Sequence, residues 1–153
     1  MNKDFRSIIV ILSDIEMVKF KKFKPKIVFL HYQMADLFLA NNSYESIKSF
    51  SIFIRKKYKA EPALFTNNIS QTLEILDNWN SDIKYICTPI NSKGYRMKPN
   101  QKEAEKNIKK TNRKIIGYDI TCGGTLKFKD SIEYAKKLNV DKVVVEISNF
   151  PIK

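Results

Sequence analysis

A unit that recurs along this chain constrains its fold more than any other feature. A short β-branched run ends in polar residues, and an amphipathic helix follows. The runs fall at residues 26–30, 62–66, 83–88, 114–119 and 142–147. They are spaced by roughly 20 to 35 residues, the repeat length of a βα unit. The last run is followed only by Ser148-Asn149-Phe150-Pro151-Ile152-Lys153, with no helix to cover it. The pattern predicts the back half of a larger parallel α/β structure.

The strands read as buried on both faces. Ile27-Val28-Phe29-Leu30, Ile115-Ile116 and Val143-Val144-Val145 are continuous apolar runs of the kind found in parallel sheets covered by helices. Upstream, Phe5, Ile8, Ile9, Leu12 and Ile15 follow the spacing of one helix face, which predicts a helix over residues 3–21; a strand at residues 8–12 is the alternative. Three later helices share one start signal, an Asn followed three residues on by Glu or Gln: Asn42 with Glu45, Asn68 with Gln71, and Asn100 with Glu103. They predict helices over about residues 44–58, 69–78 and 101–111, and a fourth follows over about 129–138. Asn112 and Asn139 suit the left-handed conformation that ends a helix before a strand. Low-complexity linkers are absent, so residues 1–153 read as a single α/β domain.

Composition narrows the function classes. A chain of 153 residues with 43% hydrophobic and 29% charged residues is large enough to bury a core. No apolar stretch approaches the ~20 residues of a membrane span, and the run at residues 7–12 is too short for a signal sequence. The expectation is a cytoplasmic protein with no membrane partner. The net charge of +12 raises the question of nucleic acid. However, 24 of the 28 basic residues are Lys and 4 are Arg, whereas base and phosphate recognition favours the Arg fork. Nucleic acid is therefore not the expected partner. Two cysteines, Cys87 and Cys122, make no disulfide framework, and with one histidine they complete no usual zinc set. They read as buried, inert thiols, and no metal site is expected.

In parallel α/β folds the carboxyl ends of the strands share one face, where ligands bind. The first strand ends in His31, Gln33 and Asp36, and the second in Thr66, Asn67 and Asn68. The third gives Thr88, Asn91, Lys93 and Arg96; the fourth gives Asp119, Thr121, Cys122, Gly123 and Gly124. The last gives Glu146, Ser148 and Asn149. His31, the one histidine, is suited to donate a proton or anchor a substrate, with Asp36 to orient it. Cys122-Gly123-Gly124-Thr125 lies between a strand and a helix, where glycine amides can approach an anion. The loop over residues 88–99 carries Lys93, Tyr95, Arg96 and Lys98 and has the length and charge of a lid over an anionic ligand.

Several of these segments resemble a known superfamily. Thr88-Pro89-Ile90-Asn91-Ser92-Lys93-Gly94-Tyr95-Arg96-Met97-Lys98-Pro99, Ile115-Ile116-Gly117-Tyr118-Asp119 leading into Gly123-Gly124-Thr125-Leu126-Lys127, and Asp141-Lys142-Val143-Val144-Val145-Glu146-Ile147-Ser148 resemble the C-terminal half of aldo/keto-reductase-like (β/α)8 barrels. Val28-Phe29-Leu30-His31 is similar to the fourth strand of that family, which ends in a substrate-contacting histidine. The resemblance spans about residues 20–150 and is strongest to the uncharacterised branch. It implies a partial (β/α)8 TIM barrel of about five parallel strands; a flavodoxin-like open sheet is the alternative fold.

By the same resemblance His31 polarises a substrate carbonyl, and Gly123, Gly124, Ser148 and Asn149 lie near the phosphate of a cofactor, NADP. His31 and Asp119 are the catalytic candidates, and Asn67, Asn91 and Arg96 the substrate-binding ones. The family's catalytic Asp, Tyr and Lys belong to the first three βα units, which this chain lacks. Reductase chemistry would thus need a companion N-terminal half. Open outer strands with apolar faces favour association, through self-pairing or through that companion. The expected function is a subunit or truncated remnant of an oxidoreductase-like barrel handling an anionic cofactor or small carbonyl substrate. The alternative is a non-catalytic basic module that binds a polyanion or a partner protein.

Overall fold

The computed structural model of the protein describes residues 2–145. Helix α1 (Asn2–Val18) and a 3-10 turn (Lys21–Phe23) lead into strand β1 (Ile27–Leu30). Helices α2 (Tyr32–Ala40) and α3 (Tyr44–Phe53) follow, and α3 continues as a π-helical turn over Ile54–Tyr58. The remaining units are β2 (Glu61–Phe65) with α4 (Ile69–Asn78), β3 (Tyr85–Pro89) with α5 (Gln101–Lys110), and β4 (Lys114–Tyr118) with α6 (Phe128–Lys137). Strand β5 (Lys142–Val143) is last. The tail of the fifth predicted run, beyond residue 145, lies outside the described residues.

All five strands are parallel and lie in one sheet in the order β1-β2-β3-β4-β5. Every neighbour in the sheet is a neighbour in sequence, as in one arc of a barrel. A flavodoxin-like sheet runs 2-1-3-4-5, so that alternative order is not the one found. The right-handed crossovers of sequential parallel strands put their helices on one face. Leu30, Leu64, Ile86 and Ile115 are register partners across β1 to β4, and all four belong to the core cluster with Phe38, Ile47, Phe50, Leu73, Ala104 and Ala135 of the helices. The alternate residues face the other way. Phe29, Ala63 and Tyr85 form one row of register partners, and Phe65, Cys87 and Ile116 the next. None of these six belongs to the helix-packed core. The sheet therefore has a helix-covered face and a barrel-type inner face.

Two of the three Asn starts cap as expected. Asn68 Oδ1 accepts from the Gln71 amide at 3.3 Å, and Asn100 Oδ1 accepts from the Glu103 amide at 3.0 Å. Asn42 does not cap. It stands in the left-handed region (φ 52°), Ser43 takes the cap position of α3 without a side-chain bond, and Asn42 Oδ1 accepts from Trp79 Nε1 at 3.0 Å. Asn139 is left-handed as predicted (φ 58°), whereas α5 ends through extended Thr111 and Asn112 is not left-handed.

Helix α2 is an element that the sequence pattern did not announce. Its cap residue, His31, makes no side-chain capping bond, and the helix carries apolar residues on several of its own sides. Helix α1 also departs from expectation. Ile9, Ser13 and Met17 are buried, while Phe5, Ile8, Leu12 and Ile15, four of the five residues of the predicted apolar face, are exposed. Asp14 helps seat α1, accepting from Tyr58 Oη at 2.5 Å and from Lys57 Nζ at 2.7 Å. The Lys57 bond, reinforced by that of Tyr58, holds the Asp14 carboxyl below its ordinary range. Burial, with the Asp14 bond, pushes the Tyr58 hydroxyl up to about 12.

Candidate functional site

Three chain segments converge where β1 and β2 end. β1 passes into α2 through His31, an exposed residue whose carbonyl accepts the amides of Met34 and Ala35 at 3.0 and 2.9 Å. The His31 ring lies 4.4 Å from Tyr32 and 6.0 Å from Phe65, centroid to centroid, and Tyr32 meets Phe65 edge-on at 5.4 Å. Phe65 in turn meets Tyr118 at 4.9 Å, so a band of rings crosses the carboxyl ends of β1, β2 and β4. Tyr32 and Phe65 were not singled out in the sequence. An aromatic residue at a strand end is the one local signal that could have marked them.

Asp36 does not orient His31. It projects from α2 to the end of β2, where Oδ1 accepts from the Thr66 hydroxyl at 2.6 Å and Oδ2 from the Asn67 amide at 3.4 Å. Thr66 Oγ1 accepts from the Asn68 amide at 3.0 Å, which fixes the start of α4. Within this braced turn Asn67 Oδ1 is buried and has no hydrogen-bond partner. A buried acceptor without a donor costs about 1–3 kcal/mol.

The loop from β3 reaches the same place. The Lys98 amide donates to the Asn67 carbonyl at 3.0 Å, and Arg96, left-handed at φ 61°, lays its guanidinium over the Tyr32 ring at 5.3 Å. The loop is pinned and is not a free flap. Asn91 is fully buried; its Nδ2 donates to the Tyr95 carbonyl at 3.0 Å and its Oδ1 accepts the Tyr95 amide at 2.8 Å. Met97 is buried, and a Cβ on Gly94 would come 2.9 Å from Gln101 of α5. Asn91, expected to bind substrate, instead spends its amide group shaping the loop that carries Arg96.

The turn after β4 is built differently. Asp119 is left-handed (φ 49°), and its Oδ1 accepts the Gly123 amide at 2.8 Å. The amides of Cys122, Thr125 and Leu126 bond to carbonyls within the turn. Gly123 and Gly124 have φ of 63° and 85°, and a Cβ on either would meet nothing within 4 Å. They are glycines for their conformation, with open space above them. The Asp119 carboxylate thus takes the Gly123 amide, one of the donors that a dinucleotide phosphate would need there. The other two phosphate candidates, Ser148 and Asn149, lie outside the described residues. Lys93 Nζ donates to Thr125 Oγ1 at 3.1 Å and joins this turn to the β3 loop. No hydrogen bond or ion pair joins His31 to Asp119 among the described residues.

Cys87 is buried on the inner face, and burial pushes its thiol up to about 12. Cys122 is only half-buried. No cluster of His, Cys, Asp or Glu suited to a metal occurs among the described residues, and none of their helices is long and apolar enough to cross a membrane. Comparison of the chain with protein-family models, curated proteins and solved structures returns no match. None of them identifies an aldo/keto-reductase-like relationship, and that resemblance rests on the quoted segments alone.

Proposed function

We propose that this chain is a barrel-type α/β subunit that binds a small hydroxy- or oxo-carboxylate where the ends of β1 and β2 meet the β3 loop. The observation that carries this reading is the Arg96 guanidinium over the Tyr32 ring at 5.3 Å, on the loop whose Lys98 amide bonds the Asn67 carbonyl, together with the buried, unpartnered Oδ1 of Asn67. Arg96 forms no salt bridge among the described residues. A guanidinium held over a ring and without an ion-pair partner keeps N–H donors for a carboxylate, the group its fork is suited to. Asn67 Oδ1, buried in the free protein, would accept from a ligand hydroxyl that displaces its cover. His31, exposed on the same band of rings, would donate to a ligand carbonyl. Apolar walls with a few convergent polar groups are the usual make-up of a small-molecule site.

Oxidoreductase chemistry, with NADP as cofactor and a companion N-terminal half to supply further residues, is what the family resemblance adds to this proposal. The reading does not depend on it. The test is direct because the chain has one histidine. L-malate and oxaloacetate titrated into the protein should shift the His31 ring resonances saturably, and Arg96→Met should abolish the shift. Titrations that leave those resonances unmoved would sink the proposal.

The second reading, a non-catalytic basic module, is favoured by one observation. Lys19, Lys21, Lys22, Lys24 and Lys26 are all exposed in a short segment, and none of them forms a salt bridge among the described residues.

A further inference from the structure

Between α1 and the outer edge of β1 runs a cleft of about 570 Å³ that plays no part in the rim site apart from His31 at its upper end. One wall is Leu12, Phe20 and Phe23; the floor includes Met34 and Phe50; the other wall is β1 itself. Phe20, Phe23 and Phe29 are large apolar residues left exposed, Phe23 at 68%. Among the described residues β1 is an edge strand, with β2 as its only neighbour. The Lys26 carbonyl accepts from the Glu61 amide of β2 at 2.9 Å. Backbone groups of a strand point alternately to its two sides, so Val28 and Leu30 face β2. The N–H and C=O of Ile27 and Phe29 then face the cleft.

We infer that this cleft takes an extended polypeptide segment by strand addition to β1, and that the segment alternates apolar with acidic residues. Strand addition is suggested by the backbone. Ile27 and Phe29 present donors and acceptors without a backbone partner among the described residues, the groups that β-augmentation uses, with apolar surface alongside for alternate side chains. The acidic character follows from the rim. Lys19, Lys21, Lys22, Lys24 and Lys26 stand exposed around this end of the cleft against one carboxylate in its wall, Glu16. The nearby Asp14 is already bonded to Lys57 and Tyr58.

Two other occupants fit less well. A second copy of this chain would bring its own five lysines to the same edge. Across a four-residue strand the two clusters would lie roughly 13 Å apart, beyond the Debye length of about 8 Å at physiological salt, so a second copy offers the lysines only a screened repulsion and no opposite charge. An anionic lipid surface would satisfy the lysines and Phe23 but offers no groups to pair with the backbone of Ile27 and Phe29.

The probe is a fluorescein-labelled peptide of about seven residues alternating valine and glutamate, followed by anisotropy against the full chain. Three controls accompany it: the same peptide N-methylated throughout, a valine–lysine counterpart, and the double variant Lys22→Glu/Lys24→Glu. The inference expects saturable binding, with affinity about tenfold or more lower for the N-methylated peptide, no binding of the lysine peptide, and about tenfold weaker binding by the double variant. Absence of binding, or equal affinity for the N-methylated form, overturns it. So does association with phosphatidylserine vesicles that leaves the peptide unbound, which would assign the surface to lipid. A stable dimer by light scattering that the peptide does not dissociate would assign it to a second copy. Arg96→Met serves as a further control: it should leave peptide binding intact, so failure here is separable from failure of the rim proposal.

Discussion

Substituting two isoleucines of α1, Ile9 and Ile15, by alanine tests which side of that helix is packed. Ile9 is 2% exposed and belongs to the core cluster, whereas Ile15 is 63% exposed. Alanine removes three carbons at either site, worth about 0.8 kcal/mol each when fully buried, and returns up to about 0.5 kcal/mol in helix propensity. At Ile9 the transfer loss of about 2.4 kcal/mol is augmented by incomplete collapse around the deleted atoms. The net cost should be about 2–3 kcal/mol. At Ile15 roughly a third of the side chain is removed from water, so a loss of about 0.8 kcal/mol is largely offset by propensity, and the net change stays within about 0.5 kcal/mol. Urea unfolding followed by far-UV circular dichroism should show a lowered midpoint for Ile9→Ala and a near-native one for Ile15→Ala, with unchanged slopes. Equal losses would refute the assignment of the exposed face. A loss at Ile15 that grew with protein concentration would mean that the face is covered by another molecule.

Other perturbations report on separate parts of the account. Asp14→Asn should flatten the pH dependence of stability at both ends. The Asp14 carboxyl is held below its usual value, so its contribution is present above about pH 4 and is lost as pH falls through its folded pKa. The Tyr58 hydroxyl is raised to about 12, so its contribution is intact below pH 10 and is lost as pH rises toward 12; thermal melts across pH are the measurement. Cys122 should react with a disulfide reagent in the native protein well before Cys87, which is buried at 3% exposure; equal rates would contradict the closed inner face around Cys87. Asn100→Ala should lower stability by about 1 kcal/mol through loss of the Glu103 cap, measured by urea unfolding, and Asn100→Asp should retain most of it.

What could be read in the sequence is what local chemistry decides. The βα periodicity gave the class of the sheet, and the caps at Asn68 and Asn100 gave two helix starts, because a side chain bonding an amide three residues on needs no distant partner. Asn42 carried the same signal but is drawn away by Trp79, 37 residues along, a tertiary contact that no local pattern records. Helix α2 escaped notice because it has no polar cap and no clean amphipathic stripe. In α1 the apolar residues sit at two overlapping helical spacings, and packing on α3 selects Ile9, Ser13 and Met17 over Ile8, Leu12 and Ile15.

The candidate site divides in the same way. His31 and Asn67 lie at strand ends, where topology alone puts them. The stacking of Arg96 on Tyr32 depends on how the β3 loop folds back, and that in turn on the buried brace at Asn91. The Gly123-Gly124 turn has the composition of an anion nest, yet Asp119 four residues upstream of Gly123 takes that residue's amide.

The central structural claim is a parallel arc of strands that is open along β1. Amide hydrogen exchange resolved by NMR tests it most directly. Val28 and Leu30, whose amides face β2, should exchange on the order of a hundredfold more slowly than Ile27 and Phe29, whose amides face the cleft. Uniform protection of all four amides would contradict the account, because it would mean that another strand already pairs with this edge.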